Sequence, residues 1–219
     1  MYVVDPGQLN SRLPYLQSKM ENHADDTPMF DPQVLQELKA QFTDLSKVSF
    51  NPPITPQNPG ESLLMRPLYM SDYDKGYLKL LAQLTKVGNI PREMFEEQFR
   101  AFKACPNSYF IIVIEDTSLQ QIVACGTLGI DFKFIHLCSK KGRLDEIVVK
   151  EEYRGKQLGK LIVETLTLLS QRMGCYKTAL ECTTENMPFY GKFGYVKDRE
   201  NYMTYRHEHC SKNKEETSS

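Results

Sequence analysis

Between Gly142 and Cys182 the chain passes from a β-branched stretch, GRLDEIVVK, through a glycine-punctuated basic turn into an apolar-periodic segment, then into a second strand-like stretch, YKTALEC. Leu158, Leu161, Ile162, Leu166, Leu169 and Met173 recur at helical spacing, and Gly174 stands at the natural C-terminal stop. Strand, helix, strand in that order is a crossover unit, which makes its two strands parallel. The fold class is therefore α/β or α+β, with a mixed sheet.

The flanking sequence supplies the other elements. SLLMRPL reads as a short strand, Ser71 or Asp72 can cap a helix running to about Val87, and Pro91 opens a second helix, PREMFEEQFRAFKA. SYFIIVIED and QIVACGTLGID, joined near Thr117 to Gln120, predict an antiparallel hairpin. ENMPFYGKF reads as a short helix and YVKDRENYMTYRH as one or two closing strands. The chain divides near Gly60, where the proline-punctuated NPPITPQNPGE cannot continue a helix or form a central strand. Before it, Asp31 as cap, Pro32, and Val34, Leu35, Leu38, Phe42 and Leu45 at helical spacing define one amphipathic helix. The expected organisation is an N-terminal extension over residues 1–60 beginning with a poorly ordered arm, an α/β domain over 61–210 and a polar tail over 211–219.

Composition excludes several functions. Lys and Arg number 27 against 28 Asp and Glu, a net charge of −1, so the bulk balance calls for neither nucleic acid nor an anionic membrane. No run approaches the roughly 20 apolar residues of a membrane span, and the opening stretch lacks the basic-then-apolar order of a secretory signal, so none is expected. A soluble cytoplasmic protein is expected, with peripheral attachment to internal membranes left open. The six cysteines sit singly, with no C-x-x-C pair, and read as reduced structural thiols. His207 and His209 lack a third ligand, so no metal site is expected.

The basic turn carries the chemistry. Arg154, Gly155, Lys156, Gln157, Leu158, Gly159 and Lys160 occupy the start of the crossover helix, directly after a strand. Unpaired backbone amides and the positive end of the helix dipole suit a phosphate or pyrophosphate there, and the three basic residues add full charges. The spacing excludes a P-loop: three residues separate the glycines instead of four, and Leu161 follows the lysine where a hydroxyl should stand. The dinucleotide fingerprint is absent as well. An ordinary exposed helix start remains the structural alternative.

DEIVVKEEYRGKQLGKLIVETL resembles the signature of the Gcn5-related N-acetyltransferase superfamily, in which a strand leads into an R/Q-x-x-G-x-G/A turn, and ENMPFYGKFGY resembles its second landmark. Gln157 stands in place of the first glycine, at a helix start where Gln can supply an amide with ordinary negative φ. DFKFIHLCSKKGRLDEIVVK, LTKVG, LECTTENMPFYGKFGY and ENYMTYR, with TPMFDPQVLQELK and ITPQNPGE in the extension, are jointly similar to the animal glucosamine-6-phosphate N-acetyltransferase branch. The resemblance covers most of Thr27 to Arg206. It implies a central mixed, mostly antiparallel sheet flanked by helices.

The resemblance also implies direct acetyl transfer from acetyl-CoA, as co-substrate, to the amine of glucosamine 6-phosphate, on the route to UDP-N-acetylglucosamine. The backbone of Ile147, Val148 and Val149 would pair with the pantetheine arm and donate to the thioester oxygen, while the Arg154–Lys160 turn holds the pyrophosphate. Asn186 and Lys192 are further coenzyme contacts. Tyr190 would donate to the leaving thiolate. Asp145 and Glu146 are implied at the sugar, and Glu181 is a second carboxylate able to orient or deprotonate the amine. Strand alternation expects Asp145 and Glu146 on opposite faces. Thr85 and Arg206 correspond to the phosphate contacts, and exchange of the closing strand implies a homodimer with shared sites.

Each position has a plainer reading: a core aromatic for Tyr190, a helix cap for Asn186, solvated strand-end charges for Asp145, Glu146 and Glu181. Two other functions stay open. One is a same-fold acetyltransferase for a protein or polyamine amine; the other is a non-catalytic acyl-CoA-binding module.

Overall fold

The computed structural model describes residues 26–205 and 207. Five strands lie in sequence order across one sheet: β1 (Leu63–Pro67), β2 (Tyr109–Asp116), β3 (Gln121–Phe132), β4 (Lys140–Val149) and β5 (Cys175–Leu180). The first four are antiparallel neighbours and β5 joins β4 in parallel. Helix α5 (Leu158–Arg172) makes that crossover, with Gly174 in the left-handed region at its end, where its amide donates to Gln171 O at 3.0 Å.

Helices α1 (Gln33–Glu37) and α2 (Lys39–Leu45) precede β1, α3 (Tyr77–Leu81) and α4 (Arg92–Lys103) lie between β1 and β2, and α6 (Met187–Gly191) follows β5. Asp31 Oδ1 accepts from Gln33 N at 2.9 Å, so the expected cap forms, although the expected single helix divides at Leu38.

Both sheet faces are covered, which is why β2 reads as one apolar run. Phe110, Ile112 and Ile114 enter a layer with α5, Leu38 and Phe42; Ile111 and Val113 enter a second layer with Tyr77, Phe95 and Phe99. Each aliphatic side chain so buried contributes about 1.5–3 kcal/mol. Leu35, Leu38, Phe42 and Ile54 all pack in the α5 layer, so the residues before Gly60 share the sheet's own core.

Two expectations give way. The helix from Ser71 to Val87 is replaced by a 3₁₀ turn over Met70–Tyr73 and the short α3, because Gly76 adopts φ 81° between them. Asp72 accepts from Tyr69 N at 2.8 Å and from both terminal nitrogens of Arg66 at 2.7 Å. The closing strands are also absent: from Tyr195 to Tyr205 no ladder forms, and Val196, Met203 and Tyr205 are 87, 90 and 84 % exposed. Among the described residues β5 is an edge of the sheet, and no strand bonds to its outer side.

Candidate active site

Strand β4 frames the site. It pairs with β3 along its length, but its register with β5 ends at Leu144 opposite Leu180. The β5-facing edge from Asp145 to Val149 therefore has no strand beside it, leaving backbone donors and acceptors open to an extended ligand. A bulge falls at the same place. On β3, Cys125 faces Val148 and Thr127 faces Asp145, and Glu146 takes φ 54°, a geometry that costs a non-glycine residue about 1–2 kcal/mol.

The bulge corrects the expectation that Asp145 and Glu146 point to opposite faces. Leu144 packs in the α5 layer and Val148 in the other, a change of face that unbroken alternation does not allow. Asp145 lies in register with Thr127, and the Thr127 hydroxyl donates to Glu146 Oε2 at 3.1 Å, so both carboxylates belong to the α3/α4 side. Asp145 Oδ2 accepts from Arg143 Nε at 2.7 Å. Glu146 also borders an apolar cavity of about 320 Å³ whose lining includes Tyr77, Leu81, Phe95 and Phe99. Burial holds the Tyr77 phenol protonated well above the usual tyrosine range.

After β4 the chain turns into α5. Tyr153 is buried, and its hydroxyl donates to Asp116 Oδ2 at 2.6 Å. Gly155 has φ 83° and Gln157 has φ 64°, ψ 10°. Gln157 thus does not take the ordinary negative φ open to it: the chain bends sharply between exposed Lys156 and Leu158, whose side chain is 1 % exposed, and the left-handed region achieves this. Of Leu158, then, only the backbone is free to meet a ligand. Leu161 N donates to Gln157 O at 2.9 Å, so the amides of Leu158, Gly159 and Lys160 stand ahead of the helix's own ladder. Arg154 and Lys156 are exposed, the Lys156 ammonium lying 4.7 Å from the Tyr153 ring centroid. The Lys160 ammonium is engaged elsewhere, donating to Ser49 O.

Beyond the split, Tyr190 on α6 and Glu181 after β5 line one cleft of about 440 Å³ with Lys177, Cys182 and Tyr195. Tyr190 is half-buried; its ring meets Phe189 and Tyr195 edge-on at 5.1 and 6.2 Å. Burial raises its phenol pKa, with Cys182 adding a smaller effect. Asn186 begins α6, yet its side chain caps nothing; Lys192 is exposed at the other end. Thr85 is exposed just beyond α3 and lines neither cavity. Arg206, His209 and Cys210 lie outside the described residues, as do residues 1–25 of the expected arm and the polar tail. Among the described residues no group of three or more His, Cys, Asp or Glu side chains could hold a metal, and no helix is long and apolar enough to cross a membrane.

Thr127, Arg143 and Tyr77 were not legible as site neighbours, because their place depends on strand register and helix packing. Gln157 did carry a signal, a side chain standing where the turn pattern has glycine.

A freed β4 edge followed by a basic helix-start turn is an arrangement able to take an extended ligand that carries phosphate. The chain belongs to the acetyltransferase (GNAT) family, whose model matches residues 74–195. It is 46 % identical over 187 residues to the probable glucosamine 6-phosphate N-acetyltransferase of Drosophila melanogaster, covering 84 % of each chain. With glucosamine 6-phosphate N-acetyltransferase 1 of Dictyostelium discoideum it shares 42 % identity over 132 residues, 60 % of this chain and 83 % of that one. The crystal structure of glucosamine-6-phosphate N-acetyltransferase from Arabidopsis thaliana superposes with a TM-score of 0.64 at 38 % identity, over 66 % of this chain and 99 % of that one.

Proposed function

We propose that this chain transfers the acetyl group of acetyl-CoA to the amine of glucosamine 6-phosphate, giving N-acetylglucosamine 6-phosphate and CoA. The observation that carries the reading is the parting of β4 from β5 after Leu144, which leaves an unpaired strand edge leading to the glycine turn. The names of the relatives support the sugar, and the family supports the acyl donor.

The residues fit acetyl-CoA. Arg154, Lys156 and the amides before Leu161 meet the pyrophosphate, and the β4 edge over Ile147, Val148 and Val149 takes the pantetheine, with Asn186 and Lys192 across the cleft. Acetyl-CoA supplies a thioester carbon. The amine nitrogen bonds to that carbon, its oxygen gathers charge near the β4 amides, and the carbon–sulfur bond breaks. Tyr190, kept protonated by burial, donates to the departing thiolate. Glu146 and Asp145 orient the amine and Glu146 takes up its proton, with Glu181 as a further carboxylate able to do so.

Thr85 and Arg206 serve the sugar phosphate, and the active species is a homodimer in which the closing segment crosses to the partner. Its support is the unpaired β5 edge, together with exposed Phe134, Leu137, Val196, Tyr202, Met203 and Tyr205. Thiol release from acetyl-CoA, with glucosamine 6-phosphate, glucosamine, glucosamine 1-phosphate and a lysine peptide as acceptors, tests the reading. Release with glucosamine 6-phosphate alone supports it, and release with the peptide or with no acceptor overturns it. Arg206→Ala is expected to weaken glucosamine 6-phosphate and spare glucosamine.

A further inference from the structure

The segment Lys47 to Pro52 runs along one face of α5 toward its start. Lys47 N donates to the buried Glu164 Oε1 at 2.8 Å. The Lys160 ammonium donates to Ser49 O and lies 4.8 Å from the Phe50 ring centroid. Gln157 closes the seam: its Oε1 accepts from Asn51 N and its Nε2 donates to Pro52 O, each at 3.1 Å. Positions 157, 160 and 164 form a single helical stripe, so these contacts are one continuous junction. Phe50 stacks on Phe42 at 5.7 Å, and Phe42 is buried in the core that α5 shares, which ties the segment to the fold.

This seam reaches the glycine turn at two points. Gln157 holds the left-handed φ that glycine would adopt without strain, and its two hydrogen bonds to backbone groups offset the cost. The direction of the turn's amides follows from that φ. Lys160 has its ammonium committed to the seam, so Arg154 and Lys156 are the turn's remaining exposed cations.

We propose that Lys47–Pro52 is a positioning element of the coenzyme site, acting through Gln157 to pre-shape the Arg154–Lys160 turn. It rests on the reading of that turn as the pyrophosphate site of acetyl-CoA. Coupling of this kind is reciprocal: a closed seam tightens coenzyme binding, and bound coenzyme tightens the seam.

Gln157→Leu keeps the bulk of the side chain and removes both hydrogen bonds; it is expected to raise the KM for acetyl-CoA about tenfold, leaving kcat and the KM for the amino sugar in place. Gln157→Gly loses the bonds but also the strain, and its acetyl-CoA KM falls between the two. In the full-length unaltered protein, amide hydrogen exchange over residues 47–52 is expected to slow when CoA is added. Protection of residues 154–160 without residues 47–52, with an unchanged acetyl-CoA KM in Gln157→Leu, overturns the inference and leaves the turn as the coenzyme site. Protection of neither segment, with no effect of Arg154→Ala on that KM, overturns both.

Discussion

The Thr127 hydroxyl donates to Glu146 Oε2 at 3.1 Å across the bulge where β4 changes face. The bond holds one carboxylate oxygen and leaves the other for an acceptor amine. Thr127→Val keeps the shape and removes the donor; kcat is expected to fall about tenfold and Glu146→Gln to lower it by about 10²-fold, both with unchanged KM for acetyl-CoA. Steady-state kinetics decide, and full turnover in both variants would leave the pair a purely structural contact.

Tyr190→Phe is expected to reduce kcat by about 10²-fold or more with little change in either KM. Burial raises the Tyr190 pKa, so the hydroxyl stays protonated up to and beyond the ordinary tyrosine value of about 10. The wild-type pH–kcat profile therefore shows no fall from this group below that pH. A variant with wild-type turnover would make Tyr190 a core aromatic and nothing more.

Arg66 binds the fully buried Asp72 through two bonds of 2.7 Å and Glu115 at 2.6 and 3.0 Å. Arg66→Met strands buried carboxylates and is expected to cost about 3–5 kcal/mol in urea denaturation. Burial alone would raise the Glu115 pKa, but Lys75 and Arg66 outweigh it and hold the carboxyl below its usual value. A depressed folded pKa contributes stability above the unfolded value, about 4.3, that is lost as pH falls through the folded one. The acid limb of the wild-type stability profile should accordingly flatten in Arg66→Met.

A β-carbon at Gly126 would meet Ile162 Cγ2 at 2.6 Å and Leu166 Cδ1 at 3.1 Å. The first of these belongs to a stiff β-branched side chain packed on the sheet. Gly126→Ala is expected to destabilise by about 1–3 kcal/mol and, since Gly126 sits in the β3 register shift facing the bulge, to lower kcat as well. A thermal melt and a turnover assay on one preparation separate the two effects, and an unchanged melt would show that α5 can shift to accommodate the methyl.

Elements whose signals are local were legible. The hairpin turn from Thr117 to Gln120, the helix from Arg92 to Lys103 and the crossover into α5 each stand where periodicity and turn residues predict. Asp31 capping and the Gly174 stop depend on neighbours a few residues away. The helix expected from Ser71 failed because Gly76 takes a left-handed φ and because Asp72 bonds Arg66, a partner on β1 that no helical pattern reveals. The closing strands failed because a strand needs a ladder beside it, and among the described residues none lies beyond β5.

By itself, the sequence determined the order of the elements, the parallel crossover, the basic turn at the start of α5 and the carboxylate pair on β4, since each rests on side chains close together along the chain. Only the tertiary structure decided that Glu146 bulges toward Thr127, that Gln157 lies in the left-handed region, and that Lys160 serves residues 49 and 50. Those outcomes depend on register between strands and on the meeting of segments more than 100 residues apart in sequence. There, packing and hydrogen bonding override what a residue prefers alone.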